Sequence, residues 1–169
     1  VSLKKLFAKT MLPDPNMSEG GYQVNSLYFD TPDWEFYAAK KAGFQKRSKI
    51  RIRYYGKSHN QANCFLEAKH RANVFVWKNK IKGNYNKLLK LVKSSNFDNI
   101  DVIKNEEAKN ILKITQVRSL YPKILIQYQR HAYGSKFDKN LRITLDTNLS
   151  ASPFETNLNF LDSFPKRDL

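Results

Sequence analysis

Hydrophobic and polar positions alternate most strictly between Lys46 and Gly56. Successive side chains of an extended strand point to opposite faces. Arg47, Lys49, Arg51 and Arg53 then share one face, and Ser48, Ile50, Ile52 and Tyr54 share the other. β-Branched and aromatic residues favour a strand, and Gly56 marks its end. The alternation returns at 63–72, where Phe65, Glu67, Lys69 and Arg71 face away from Cys64, Leu66, Ala68 and His70. A short polar turn separates the two runs, as in an antiparallel hairpin. Val74–Ile81 predicts a third strand with Lys78 and Lys80 on one face, and Gly83 breaks it.

The rest of the chain is read in the same way. Leu3, Leu6 and Phe7 predict a short amphipathic helix over 2–10, stopped by Pro13-Asp14-Pro15. Gly20-Gly21 is a turn and Tyr22–Asp30 a strand. Thr31 as N-cap and Pro32 in the first turn predict a helix to about Lys41, ended by Gly43. Residues 84–95 carry Leu88, Leu89, Leu91 and Val92 at helical spacing. A second helix over 101–118 carries Ala108, Ile111, Leu112 and Thr115, with Glu106 and Glu107 near its start, where the helix dipole favours them. Lys123–Tyr133 predicts a long strand with Ile124, Ile126, Tyr128 and Arg130 on one side. After a turn at 134–140, Leu141–Asp146 sets Arg142, Thr144 and Asp146 opposite Leu141, Ile143 and Leu145. The last twenty residues are weakly patterned.

At least four strands therefore carry charge or hydrogen-bonding groups on one face and apolar groups on the other. Closing the sheet into a barrel would line a polar interior with the charged face, while the helices covered the apolar outside. An open sheet would instead leave that face to solvent. The expected class is α+β, with an antiparallel barrel and helices packed outside it.

Composition sharpens this picture. The chain has 169 residues, which fits one domain over 1–169, and a 41 % hydrophobic fraction is enough for a core. Against 15 Asp+Glu stand 30 Lys+Arg, giving a net charge of +15. Such a surplus implies a polyanionic partner. Four cations about 7 Å apart along one strand repel one another, so a negative group is expected opposite them. The plainer alternative is an edge strand kept from aggregating by its charge. No apolar run reaches the length of a membrane helix, and no signal-peptide pattern opens the chain. Cys64 is alone, which excludes a disulfide framework and points to a reducing, cytoplasmic compartment.

Other chemistry finds little support. His59, His70, His131 and Cys64 lack zinc spacing, and no serine-nucleophile motif occurs. Both His70 and His131 fall on apolar or mixed positions that suit packing. Phe44, Tyr54 and Tyr55 interleave with the cations as in a single-strand nucleic-acid binder. They are equally ordinary strand residues, and nucleic acid is not the expected partner. Cations with a few carboxylates suit phosphate transfer assisted by a divalent metal. Glu67 and Tyr128 lie within the polar face.

Ser26-Leu-Tyr-Phe-Asp-Thr-Pro-Asp33, Lys40-Lys-Ala-Gly43, Arg47–Gly56, Phe65-Leu-Glu-Ala-Lys69, Tyr128-Gln-Arg130 and Leu141–Asp146 follow one another in an order that resembles the VTC (vacuolar transporter chaperone) domain. The likeness is to its bacterial polyphosphate polymerase branch, related to the CYTH or triphosphate tunnel metalloenzymes, and it spans about 12–165. It implies an antiparallel tunnel that binds ATP and polyphosphate and moves the terminal phosphate of ATP to the chain end, with Mn²⁺ or Mg²⁺ assisting. Carried over by motif, Arg51 and Arg53 match paired phosphate-binding arginines and Lys69 the lysine after the glutamate. Arg71, Lys78, Lys40, Tyr128 and Arg130 match further positions. Arg51, Arg53, Lys69 and Arg130 are the expected catalytic set. Arg47, Lys49 and Arg142 extend the phosphate-binding surface. Glu67 is the candidate metal ligand, or else a carboxylate that relieves repulsion among its neighbours. Asp146 is expected to be structural. The resemblance also implies a strand before Ser2 and a metal-binding glutamate on a strand after Leu169. The chain is thus expected to be either a fragment lacking the first and last barrel strands, and inactive alone, or a degenerate member of the family. A non-catalytic polyanion-binding module and a tunnel triphosphatase are the alternatives.

Overall fold

The computed structural model describes residues 7, 10–56, 63–93 and 106–154. The elements run β1 (Met11–Pro13), β2 (Tyr22–Asp30), α1 (Glu35–Lys41), β3 (Lys46–Tyr55), β4 (Cys64–Ala72), β5 (Phe75–Gly83), α2 (Tyr85–Lys93), α3 (Glu106–Val117), β6 (Tyr121–Ser135) and β7 (Arg142–Pro153). The fold is α+β, as the alternation implies. Its seven strands form one antiparallel sheet curled into a half-barrel, consistent with a tunnel-like barrel.

Sheet order is β7-β6-β2-β3-β4-β5, and β1 pairs with the end of β6 beyond β2. Hydrogen-bond register decides which residues share a face. In β3 and β4, Ile50 faces Ala68 and Ile52 faces Leu66 across the ladder, while Leu27 of β2 faces Ile52. These side chains point outward from the curl and are fully buried. The burying surface comes from Tyr85, Leu88 and Val92 on one face of α2 and Ile111 of α3. Tyr54 meets Tyr85 edge to face at 5.9 Å. Each such aliphatic side chain contributes roughly 1.5–3 kcal/mol by leaving water. The helices thus cover the apolar outside, and the other face of the sheet is left to its polar residues.

Several boundaries differ from those read in the sequence. Helix α1 begins at Glu35, not in the turn after Thr31. Asp30 is the reason. Its carboxylate accepts hydrogen bonds from the backbone N–H of Thr31, Phe36 and Tyr37, at 2.8, 2.9 and 3.0 Å. Thr31 still helps to cap, since its Oγ1 accepts the N–H of Glu35. Strand β7 runs on to Pro153, because Asn148 with φ 53° adds a bulge against β6 that breaks the two-residue period. Strand β1 is too short to show a period. Of the helix expected over 2–10, Phe7 and Thr10 are helical and the other positions lie outside the described residues. So do 101–105, where the last helix was expected to begin, and His59.

Gly21 has φ +81°, and a Cβ there would sit 2.5 Å from the carbonyl oxygen of Arg130. Only glycine lets this turn close onto β6. That closure fixes β2 beside β6 and so aligns their inward-facing side chains.

Candidate functional site

The inner face of the half-barrel holds a cavity of about 490 Å³. It is built by three rungs that the register of β3, β4 and β5 imposes. Arg47 lies beside Arg71 and then Val76; Lys49 beside Lys69 and then Lys78; Arg51 beside Glu67 and then Lys80. Tyr28 of β2, Lys40 of α1 and Arg53 also line it. Among the described residues, Glu67 is the one acidic residue in that lining. Nor is this local: between Glu35 and Asp98, Glu67 is the single Asp or Glu in the sequence.

The rung of Arg51 is tightly organised. Its Nε donates to Glu67 Oε2 at 2.9 Å, and its Nη2 lies 2.8 Å from the same oxygen. Nη1 donates to the Tyr28 hydroxyl at 2.9 Å. Burial opposes the charge of Arg51, but Tyr28 and Glu67 outweigh it and raise the pKa. A guanidinium carries five N–H groups. Three are used here, so two remain on a side chain already fixed in place. Arg53 Nε lies 3.9 Å from Glu67 Oε2, and it makes no hydrogen bond among the described residues. Its neighbour across the ladder, Ser26, likewise has a buried hydroxyl without a partner. Lys80 Nζ stands 3.8 Å over the Phe65 ring.

The middle rung differs in kind. Lys49, Lys69 and Lys78 form no ion pair with any described residue. Three adjacent ammonium groups on one face repel, and an anion laid across them would remove the repulsion.

The other expected phosphate ligands share this face but lie farther along the sheet, outside the cavity lining. Tyr128 and Arg130 are on β6 and Arg142 on β7. Arg130 is held by Asp146 in a bidentate pair, Nε to Oδ1 at 2.7 Å and Nη2 to Oδ2 at 2.8 Å, and it stacks over Tyr128. That pairing, more than burial opposes it, raises the arginine's pKa. Arg142 donates to Asp14 at 2.9 Å and reaches the Tyr22 hydroxyl. These two arginines are thus already paired, unlike the lysine rung.

Tyr28 and Lys80 escaped the sequence reading as site residues. Tyr28 sits in a strand whose two faces are both largely buried, so no alternation marks its inward side. Lys80 was assigned its face but no role. His70 lies on the opposite face, as expected. It is buried, bonds Ser48 Oγ through Nδ1 at 2.8 Å and stacks on Trp77. Burial lowers its pKa. Cys64 is buried, and burial raises its thiol pKa, so it is an unreactive packing residue.

No group of three or more His, Cys, Asp or Glu side chains converges among the described residues. Glu67 is committed to arginines. This donor set does not by itself fit a divalent cation, which would need oxygens from elsewhere.

Comparison with known proteins agrees with the geometry. The family model of the VTC domain matches residues 1–166. Subunit 4 of the vacuolar transporter chaperone complex of Schizosaccharomyces pombe is 27 % identical over 167 residues. The match takes in 88 % of this chain and 23 % of that protein, so the chain spans about a quarter of its relative's length. No helix among the described residues is long and apolar enough to cross a membrane.

Proposed function

The chain belongs to the VTC domain family, and from that premise we propose that its cationic groove binds the phosphates of ATP and of an inorganic polyphosphate chain for phosphoryl transfer between them. One observation carries the proposal: among the described residues, nine lysines and arginines converge on a cavity with a single carboxylate. These are Lys40, Arg47, Lys49, Arg51, Arg53, Lys69, Arg71, Lys78 and Lys80.

Phosphoryl transfer needs little covalent help from a protein. Its barrier falls when donor and acceptor are held in line and the charge on the equatorial oxygens is met by fixed cations. Arg51 is pre-positioned by Glu67 and Tyr28, so its two spare N–H groups can meet a phosphate without reorganising. Lys49, Lys69 and Lys78 form a row across three strands that suits a linear polyanion, since point charges on flexible stems follow a chain of phosphates without demanding one geometry. Arg53 lies on the far side of Arg51 from the lysine row and extends the cationic wall. Mn²⁺ or Mg²⁺ would bring additional charge stabilisation if donors beyond the described residues hold it.

Product analysis after incubation with ATP and Mn²⁺ tests this reading. Lengthening polyphosphate supports a polymerase. Orthophosphate alone would mean a triphosphatase on the same groove. Binding of tripolyphosphate without turnover, in a protein that includes the flanking sequence, would leave a binding module. No binding at all would overturn the assignment of the groove.

A further inference from the structure

The turn joining β4 to β5 presents an apolar run, Val74-Phe75-Val76-Trp77, whose residues are 81, 71, 50 and 49 % exposed. Val74 stands in the turn itself, and alternation along β5 puts Val76 toward the groove beside Arg71 and Phe75 and Trp77 toward the other face. Exposed or half-exposed apolar side chains thus stand on both faces of the tip, with Trp77 covered in part by His70. The chain turn at 42–45 runs alongside, because the Asn73 N–H donates to the Gln45 carbonyl oxygen at 3.2 Å. It carries Phe44, which is 61 % exposed. The tip is held rigid: Asn73 takes the left-handed conformation at φ 56°, and Arg71 Nε donates to its carbonyl oxygen at 2.7 Å.

Cations flank this tip, while Glu107 accepts the backbone N–H of Lys80 farther along β5. Lys46 pairs with Ala72 at its base, Arg71 pairs with Val76, and Lys78 follows Trp77. Glu67, the only acid nearby in sequence, is spent on Arg51.

We propose that this tip is a wedge that seats peripherally in the interface of an anionic lipid bilayer. Two features favour lipid over a protein partner. A protein surface covers one side of a hairpin, whereas a fluid apolar medium envelops both. Aromatic rings between apolar residues and a basic collar match the layering of a bilayer interface, with rings at headgroup depth and Lys and Arg meeting the anionic surface. Because the tip is already ordered, insertion loses little conformational freedom. Arg71 and Lys78 belong both to the collar and to the groove wall, so docking would set one end of the groove against the membrane. The proposal stands apart from the phosphate reading, since it rests on the apolar tip.

The test is vesicle binding by the whole chain, with phosphatidylcholine vesicles that contain or lack phosphatidylserine. Tripolyphosphate is left out of the vesicle assay, because Arg71 and Lys78 serve both groove and collar, and a double variant separates the tip from the groove. Binding to the anionic vesicles and not to the neutral ones is expected. The double substitution Val74→Ser, Phe75→Ser should weaken it at least about tenfold, because two exposed apolar anchors are lost. In a Trp34→Phe background, the fluorescence of Trp77 should shift to the blue on anionic vesicles. Circular dichroism and tripolyphosphate affinity should not change in the double variant, which separates a lost wedge from a lost fold or groove. Equal vesicle binding by wild type and double variant would overturn the proposal, as would absence of binding. Self-association abolished by the same substitutions, without vesicle binding, would assign the tip to a protein contact and overturn it too.

Discussion

At the scale of single residues, charge pairing separates the side chains that are ready for a ligand from those already satisfied. Arg51 is braced by Glu67 and Tyr28 inside the cavity with donors to spare; Arg130 pairs with Asp146 outside the cavity lining. Arg51→Ala should therefore weaken tripolyphosphate binding by about tenfold or more, since a charge-assisted hydrogen bond contributes roughly 1.5–3 kcal/mol. Arg130→Ala should weaken it less, and titration calorimetry on the two variants gives the comparison. Glu67→Gln keeps the shape but removes the only negative charge among the described residues of the cavity lining. Its melting temperature should fall at low salt and recover with salt or added tripolyphosphate, because the loss is cation repulsion. An unchanged melting temperature at low salt would show that Glu67 is not what holds the cations together. His70 provides a pH signature. Burial lowers its pKa in the folded protein, so between that value and the ordinary value near 6.5 the unfolded chain binds the proton more readily. Stability is full above about 6.5 and falls as pH drops through this window. His70→Gln should flatten that part of the stability profile, read from urea midpoints across pH.

At the scale of elements, what the sequence reveals depends on whether a strand has one wet face. Strands β3 and β4 were legible residue by residue, because Ile50, Ile52, Leu66 and Ala68 lie under helices while their neighbours face the groove. Strand β2 was legible as a strand but not in its facing. Phe29 and Leu27 are buried outward, Val24 and Ser26 inward, so no period distinguishes Tyr28. In β7 the bulge at Asn148 moves the pattern by one residue, and a one-residue slip exchanges the two faces. Arg47, Lys49, Arg51, Arg53, Lys69, Arg71 and Lys78 were legible as one surface. The pairing of Arg51 with Tyr28 was not, since it depends on register between strands more than 20 positions apart in sequence. The start of α1 was also hidden, because its strongest cap is Asp30, five residues before Glu35. A carboxylate that accepts three backbone N–H groups makes a testable claim. Asp30→Ala should cost about 2 kcal/mol, the upper range for a lost cap, seen as a lower urea midpoint at constant slope. Since α1 carries Lys40 to the groove, tripolyphosphate affinity should fall modestly in the same variant.

At the scale of the whole molecule, one consequence of +15 net charge and a groove with one carboxylate among its described residues is that folding itself gathers repelling charges. An unfolded chain spreads Lys49, Lys69 and Lys78 apart; the native register sets them side by side. Repulsion therefore subtracts from native stability, and a polyanion that binds only the folded form returns it. Linkage sets the size: ligand at a hundred times its dissociation constant adds about 2.7 kcal/mol. Tripolyphosphate should raise the melting temperature strongly at low salt. Sodium chloride should raise it weakly through screening while reducing the increment from tripolyphosphate. A triple variant Lys49→Ala, Lys69→Ala, Lys78→Ala should melt higher than wild type without ligand and gain much less from it. These opposite signs are what distinguish a binding groove from cations that merely keep an edge soluble. If the cations were only a solvated surface, single-stranded RNA of equal charge would stabilise the protein as well as tripolyphosphate does, and the triple variant would lose both effects equally. A row of unpaired lysines beside a braced arginine instead favours the compact phosphate chain. The measurement is thermal melting of wild type and triple variant at two salt concentrations, with tripolyphosphate, with RNA and with neither. A triple variant that melts lower than wild type without ligand would show that the lysine rung stabilises the native sheet, and the groove would then lose its claim to be strained in readiness for phosphate.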